Sequence, residues 1–507
     1  MSNSRTKNSL LNMGASVVYQ LLNLVLSFVS RTIFLQVLGV GYLGINGLFS
    51  DVLSMLNMAE LGIGTAMTYS MYKPLAENDH ETLAGLTQFY KKIYRIIAFT
   101  IAAIGVALVP FLPYLVNLET DIPHVELYYL LFLAGNVASY FVVAKTTVLY
   151  ADQKNHVLIK YTAYWHVAEI LIMLAVLWLT KSYTLYLMTQ IIFVYGQNIH
   201  KSRVADRYYP YLNDKVRLPS EKTKGIFKDV GSAFIYKVAN ILLTATDNTL
   251  ISVLISTEMV GYFSNYRMIT AKLGALVSTF FSSLIASLGN LIAKENAEKR
   301  YEIFTIMQSL SLIFSTFFAS CVFLLASDLV RVWLGEGYVL NTLTLSAAAL
   351  NFYVSVSTMP VTSFREAAGL FRKTKFIMLW TAALNIFFSI TLGKMIGLSG
   401  ILFATALSKL LTCFWYEPKL LFREYFKKSC KLYFLEMLKA ICITAVTIAF
   451  ASGVSFWFAP ENLVQLVCKG VLVASASMIV VVSCYRKTAG FQMLFRKIQS
   501  MFYGFLK

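Results

Sequence analysis

The feature that most constrains this chain is a succession of fourteen apolar stretches, each about 20 residues or longer, the length at which a helix spans the hydrocarbon core of a bilayer. Only 14% of the 507 residues are charged, against about 25% in soluble globular proteins. This deficit means that most side chains face lipid or other helices. The sequence therefore predicts an all-α polytopic membrane protein with about 14 transmembrane helices.

The distribution of basic residues predicts the orientation of the chain. Cytoplasmic connections carry an excess of lysine and arginine, and here one side holds most of these residues, whereas the other holds little beyond Lys181, Arg331 and Lys394. Arg5 and Lys7 precede the first stretch, which exceeds twenty residues and has no cleavage site, so we expect an uncleaved first helix. Both termini are therefore predicted to be cytoplasmic.

Charge and cysteine content exclude several kinds of partner. The net charge of +18 falls in short loops between apolar stretches, which favours lipid headgroups over nucleic acid. The six cysteines are scattered, and neither they nor the histidines have the spacing of metal ligands. The sequence therefore predicts no metal site, no cofactor and no nucleic-acid partner.

Two segments of the chain are related to each other. Ser30–Tyr42 reads SRTIFLQVLGVGY and Asp247–Tyr262 reads DNTLISVLISTEMVGY, and each leads from a polar cluster with threonine into Val-Gly-Tyr. The two triplets are 220 residues apart and Thr32 and Thr249 are 217 apart, so three residues are inserted before the second turn. A third pair of similar triplets, Ala-Glu-Asn at 76–78 and Lys-Glu-Asn at 294–296, has a spacing of 218 residues. These matches in order predict a duplicated membrane unit.

The duplication predicts a division into lobes. We expect an N-terminal lobe of six helices at 1–203, a cytoplasmic linker at 204–228, a C-terminal lobe of six helices at 229–421, two further helices at 422–485 and a basic amphipathic tail at 486–507. Because six is even, both repeats enter the membrane in the same direction. This predicts two parallel lobes in a pseudo-twofold arrangement around a central cavity.

Ionisable residues inside the apolar stretches are costly and are candidates for function. Because a helix rises about 1.5 Å per residue, counting from the outer turns places five of them between the outer interface and the midplane: Arg31, Asp51, Asp247, Arg267 and Lys272. Three others lie deeper or in the middle of a stretch: Glu60, Lys237 and Glu169.

Two interpretations of the first five charges remain open. Arg31 with Asp51, and Asp247 with Arg267 or Lys272, would pair within a lobe and tie neighbouring helices together. Alternatively, Lys272 and one arginine face a site between the lobes and bind an anionic headgroup, because an arginine fork matches phosphate oxygens.

Other residues have simpler interpretations. Glu169 lies close to His166, which fits a proton relay or a polar contact between helices. Lys145 and Lys439 lie near stretch ends, where their side chains reach the interface. Pro360 predicts a kink in the tenth stretch. No phosphate-binding glycine loop is present, so direct use of ATP is not expected.

Three features carry a family resemblance that covers essentially the whole chain. They are the opening Asn8–Arg31 helix with the turn VLGVGYLG (Val37–Gly44), the pattern Asp247-Asn248-Thr249 followed by Val260-Gly261-Tyr262, and the plan of two six-helix lobes plus two helices. Together they resemble the multidrug/oligosaccharidyl-lipid/polysaccharide exporter superfamily, in particular its polysaccharide transport branch of O-unit (Wzx-like) flippases.

The resemblance implies an alternating-access flippase and not an enzyme. It would move undecaprenyl-pyrophosphate-linked oligosaccharide repeat units across the bacterial plasma (inner) membrane for surface polysaccharides such as O-antigen or capsule. Its partners would be the bilayer, the lipid-linked glycan, and the polymerase and chain-length regulator of the same pathway. A proton or sodium gradient is the expected energy source, and the coupling ion stays open.

The resemblance also assigns roles to the candidate residues. In related flippases of lipid-linked precursors, arginines on the first and eighth helices face the cavity and meet the diphosphate. By position, the substrate-binding set is Arg31 and Arg267, with Lys272 and Lys237 adding positive charge. Apart from the resemblance, the acids inside the apolar stretches are candidates for gating or ion coupling: Asp51, Asp247, Glu60 and Glu169. The acidic relay of some drug-exporting relatives has no clear counterpart among them.

Other functions are weighed against this one. A peptidoglycan lipid-precursor flippase differs from it little in sequence. A cation-coupled multidrug antiporter of the same superfamily would need a net-negative cavity, whereas basic residues are prominent among the ionisable residues inside these apolar stretches. A membrane-embedded enzyme would need an outer catalytic loop, but the outer connections are about fifteen residues or fewer and lack His/Asp clusters.

Overall fold

The computed structural model describes residues 22–60, 63–141, 143–152, 154–214, 216, 218, 230–294, 296–493 and 495–496. Over these residues the chain consists of helices and connections, with no strand. It divides into two compact units, residues 1–261 and 262–507. The predicted all-α class is confirmed.

Helix length and composition show a multi-pass membrane protein. Within the described ranges, seven helices are long and apolar enough to cross a membrane, or eight if the bent pair Val125–Tyr140 and Val143–Ala151 is one span. Leu22–Leu38 and Val40–Leu56 are shorter apolar helices. The total of fourteen spans and the cytoplasmic placement of both termini stay predictions.

The first unit contains the helices of the first repeat and the start of the second. Its helices are α1 (Leu22–Leu38), α2 (Val40–Leu56), α3 (Ile63–Glu77), α4 (His80–Ala107), α5 (Leu112–Leu115), α6 (Val125–Tyr140), α7 (Val143–Ala151), α8 (Asn155–Thr180), α9 (Tyr183–Tyr208), α10 (Val230–Ala245), α11 (Asp247–Leu254) and the first turn of α12 (Thr257–Lys294). Gly39 ends α1 because its φ of 88° is strained for any residue with a Cβ.

The predicted linker begins as part of the first unit. Helix α9 continues to Tyr208, and the 3₁₀ turn Pro210–Asn213 follows it. Ala205 and Leu212 are fully buried in the core of this unit. Residues 215, 217 and 219–228 of the predicted linker lie outside the described residues, and the lobe boundaries stay predictions.

The second unit contains the remainder of α12 and the helices that follow. They are α13 (Ala297–Leu334), α14 (Thr342–Ser357), α15 (Met359–Ala367), α16 (Phe371–Ile396), α17 (Leu398–Leu411), α18 (Cys413–Leu421), α19 (Lys431–Ser455) and α20 (Leu463–Tyr485). The interruption between α14 and α15 agrees with the kink predicted at Pro360, which lies in the first turn of α15.

Buried polar contacts tie helices of the second unit together. Arg365 of α15 is fully buried, and its Nη1 lies 3.4 Å from Oε1 of Glu417 in α18. Asp328 of α13 binds Lys469 of α20 at 2.7 Å. After α20, the Gly490 amide donates to Ser309 Oγ at 2.7 Å, which anchors the start of the predicted tail. Residues 494 and 497–507 of that tail lie outside the described residues.

Candidate functional site

The two related segments pack against each other inside the first unit. A Cβ at Gly44 of α2 would overlap the carbonyl oxygen of Thr257, and a Cβ at Gly261 would overlap the carbonyl oxygen of Val40. Only glycine permits backbones to approach so closely. The Asn248 side chain also donates through Nδ2 to the carbonyl of Gly47 at 3.3 Å. The sequence repeat therefore corresponds to a direct helix crossing.

The three inserted residues form the first turn of α12. Helix α2 begins at Val40, within its Val-Gly-Tyr triplet, whereas α12 begins at Thr257, three residues before its own triplet. The Thr257 amide donates to the carbonyl of Asn117 at 2.7 Å, and the Asn117 amide donates to Thr257 Oγ1 at 2.9 Å. The Asn117 side chain donates to the carbonyl of Ile255 at 2.9 Å. This turn thus binds the connection that follows α5.

Glu258 is the centre of this contact. Its side chain is almost fully buried, at 5% exposure. Oε1 accepts from the amides of Glu119 and Thr120 at 2.9 and 3.2 Å and from Thr120 Oγ1 at 3.2 Å. Oε2 is buried with no hydrogen-bond donor among the described residues. Buried carboxylates need such donors, so Glu258 stabilises the contact only while residues 119–120 remain against it.

The sequence analysis did not select Glu258 as a candidate. Its position inside the three-residue insertion was the signal that could have singled it out, because the rest of the two segments match.

Arg31 and Glu169 belong to a group of polar residues that links α1, α8 and α9. Arg31 is half-buried and interacts electrostatically with Tyr186, which also interacts with Glu169. Glu169 Oε2 lies 3.6 Å from Nδ1 of His166, and His166 Nε2 lies 3.3 Å from Nδ2 of Asn23. This arrangement fits the polar contact between helices that was one interpretation of Glu169. A proton relay through it stays a prediction.

Glu60 and Lys237 are also brought together in the first unit. Glu60 ends the 3₁₀ turn Asn57–Glu60 and accepts from the Tyr94 hydroxyl at 3.5 Å. Lys237 of α10 acts electrostatically on the Glu60 carboxylate. An acid from the first repeat and a base from the second therefore share one polar region.

The remaining candidates are distributed over both units. Asp51 is buried in α2, and Asp247 is the first residue of α11, directly after the break at Thr246. Arg267 and Lys272 are half-buried in the part of α12 that belongs to the second unit. The pairing of these charges within lobes and a joint site for Arg31 and Arg267 both stay predictions.

Lys145 of α7 contacts the end of α9 and the turn that follows it. Its Nζ lies 2.8 Å from Asp206 and donates to Asn213 Oδ1 at 2.8 Å. Nearby, the Tyr209 hydroxyl donates to Asp152 at 2.5 Å. Burial, and then this carboxylate, raise the pKa of Tyr209 above its ordinary value. Lys145 therefore holds the start of the predicted linker against α7.

Within the described ranges, no group of three or more His, Cys, Asp or Glu could hold a metal ion.

Comparisons with known proteins identify the fold. No family profile matches the chain, and no curated protein matches its sequence. The solved structure of the lipid II flippase MurJ in an inward closed conformation has a TM-score of 0.66 at 13% identity and covers 93% of this chain and 98% of its own.

Two multidrug transporters are also similar. An inward-facing MATE family transporter of the MOP superfamily has a TM-score of 0.62 at 14% identity, covering 77% of this chain and 93% of its own. The Vibrio cholerae MATE transporter VcmN in its bent form has a TM-score of 0.55 at 14% identity, covering 84% and 98%. The chain therefore has the fold of MOP-superfamily transporters, as its sequence predicted, and these neighbours are transporters and not enzymes.

Proposed function

We propose that this protein is a flippase that moves undecaprenyl-pyrophosphate-linked oligosaccharide repeat units across the bacterial plasma membrane by alternating access. The observation that carries this proposal is the similarity to a flippase of a lipid-linked precursor, which covers more of the chain than either multidrug transporter does. The short motifs of the two related segments direct the proposal to the polysaccharide branch.

The charges inside the helices support an anionic substrate headgroup. Arg31, Lys237, Arg267 and Lys272 are basic residues of helices, and ionisable residues inside membrane helices are candidates for substrate binding. Arginine binds phosphate oxygens in a bidentate manner, and low dielectric strengthens that contact. The polyprenyl tail would stay in lipid during transport. A proton or sodium gradient drives the cycle, and the polymerase and chain-length regulator receive the product.

A genetic test addresses the function directly. The gene is deleted and replaced by the wild type, Arg31→Ala, Arg267→Ala or the control Lys439→Ala at equal expression, where Lys439 is an exposed lysine of α19. We expect both arginine variants to lose surface polysaccharide and to accumulate lipid-linked repeat units on the cytoplasmic face, and the control to behave as wild type. Normal polymer with an altered drug efflux profile would overturn the proposal.

The second candidate function is a lipid II flippase, because MurJ is similar to the chain over most of its length. The same strains distinguish it. A deletion strain that keeps its surface polysaccharide but accumulates the peptidoglycan precursor would favour this function over the first.

A further inference from the structure

A cavity lies between α2, α6 and α9 of the first unit. Its volume is about 260 Å³. Its polar lining consists of Ser50, Ser54, Asn57, Asn136 and Gln190, and the remaining lining is apolar and includes the ring of Phe132. None of the lining residues that the structure describes is charged. The cavity therefore differs from the sites of Glu60, Glu169 and Arg31, which depend on ionised groups.

The serines present acceptors to this cavity. Ser50 Oγ donates its proton to the carbonyl of Asn46 at 2.7 Å, and Ser54 Oγ donates to the carbonyl of Ser50 at 2.8 Å. Each hydroxyl oxygen keeps its lone pairs after this bond. A ligand that fits here must therefore bring hydrogen-bond donors.

The asparagines are fixed in place by their neighbours. Asn57 Oδ1 accepts from Asn136 Nδ2 at 2.8 Å and from the Tyr140 hydroxyl at 2.8 Å. The Asn57 amide nitrogen in turn donates to Asn136 Oδ1 at 3.3 Å. This arrangement gives one wall of the cavity a rigid pair of amides, which lowers the entropy lost when a ligand binds.

Gln190 is the adaptable group of the cavity. Within the part of the chain that the structure describes, its side chain makes no hydrogen bond, and it is half-buried on α9. A carboxamide offers two donors and one carbonyl acceptor. Gln190 can therefore bind a ligand without breaking a contact that holds the helices together.

The lining selects the chemical class of the ligand. A cation or an anion would find no opposite charge in the lining, and a purely apolar molecule would leave the Gln190 carboxamide without a partner. A sugar ring satisfies both sets of groups, because its hydroxyls donate to the serines and accept from Gln190 while its apolar face covers Phe132. The volume of about 260 Å³ fits one ring and not an oligosaccharide.

We propose that this cavity is a sugar subsite that binds one pyranose ring of the translocated lipid-linked glycan. The inference rests on the proposed function, because it requires a glycan-bearing substrate. The cavity would recognise the sugar ring independently of the residues that bind the diphosphate.

Binding measurements on the purified full chain in lipid nanodiscs test the subsite. The probes are undecaprenyl diphosphate alone and the same lipid carrying one N-acetylglucosamine, one glucose or one galactose. We expect at least one glycosylated lipid to bind the wild type about fivefold to tenfold more tightly than the bare lipid, the increment of one or two neutral hydrogen bonds.

Two variants and a control locate the effect. Gln190→Leu keeps the approximate size of the side chain and should weaken binding of the preferred glycosylated lipid about fivefold, with the bare lipid unchanged. Ser54→Leu fills the cavity and should remove the preference altogether. Thr189→Val changes the neighbouring residue, whose hydroxyl only bonds the carbonyl of Leu185 in its own helix, and should behave as wild type.

The outcomes separate this inference from the proposed function. Equal binding of all four lipids by the wild type would overturn the subsite and leave the flippase in place. Binding of none of them would overturn both. A sugar preference that survives Gln190→Leu and Ser54→Leu, or an equal loss of all lipids in Gln190→Leu, would show that the ring binds elsewhere.

Discussion

The turn before α2 and the turn before α12 start from related sequences and differ in what they hold. At the first turn, Gly39 redirects the backbone and contributes no side-chain cap to α2. At the second, the three inserted residues add one helical turn, and Thr257 and Glu258 in that turn bind residues 117–120. The three inserted residues thus give the second turn a contact with residues 117–120.

The shared part of the two segments has a different role. The glycines of both copies let α2 and α12 cross in backbone contact, and the arrangement is reciprocal: Gly44 faces Thr257 while Gly261 faces Val40. The residues common to both segments allow the two helices to cross closely, and the inserted residues add hydrogen bonds to residues 117–120. Four predictions separate these contributions.

The largest effect is expected from deleting Thr257, Glu258 and Met259, which makes the second copy as short as the first. The deletion removes six hydrogen bonds of Thr257 and Glu258. At about 1 kcal/mol each, the free energy of unfolding should fall by about 6 kcal/mol, measured by thermal unfolding in detergent.

A triple alanine variant at the same three positions is the control for this deletion. It keeps the turn and the Thr257 amide bond but removes the side chains, so it should lose less stability. A deletion no more destabilising than Glu258→Ala alone would contradict the role given to the added turn.

Gly44→Ala should have the next largest effect, because the new Cβ overlaps backbone that cannot move aside. Overpacking of this kind costs about 3 kcal/mol. Gly47→Ala is the matched control on the same helix, since its Cβ would first meet Val260 Cγ1 at 3.0 Å, a side-chain atom that can shift. Equal losses of thermal stability in the two variants would argue against a close backbone crossing.

Glu258→Ala should cost about 2 kcal/mol, because it removes the acceptor of two backbone amides. Hydrogen–deuterium exchange reports this locally: the amides of Glu119 and Thr120 should exchange about tenfold faster or more. Glu119→Ala removes an exposed side chain but keeps its amide, and exchange there should stay slow. Unchanged exchange in Glu258→Ala would place the protection of these amides elsewhere.

Thr257→Val should have the smallest effect, about 1 kcal/mol, since it removes one acceptor for the Asn117 amide and the contact with Ser252. Thr257→Ser keeps the hydroxyl and should retain most of the stability. If valine and serine behave alike in thermal unfolding, the hydroxyl contributes nothing and the contact depends on the backbone bond of Thr257.

Local sequence patterns predicted the helices and the break at Pro360, because apolar length and proline chemistry act within a few residues. The same patterns revealed the duplicated segments, but not that the two copies touch. Glu258 was missed because its donors lie 138 and 139 positions away along the chain. Arg365 was missed because only tertiary packing buries a basic residue beyond the end of an apolar stretch.

The buried pair of Arg365 and Glu417 has a consequence for the history of this chain. Removing one partner of a buried ion pair costs about 3 to 5 kcal/mol, whereas replacing both by apolar residues of similar volume is often nearly neutral. Single substitutions at these positions are therefore removed by selection, and the two codons are expected to change in concert. Homologues are therefore expected to carry either both charges or two apolar residues at these positions.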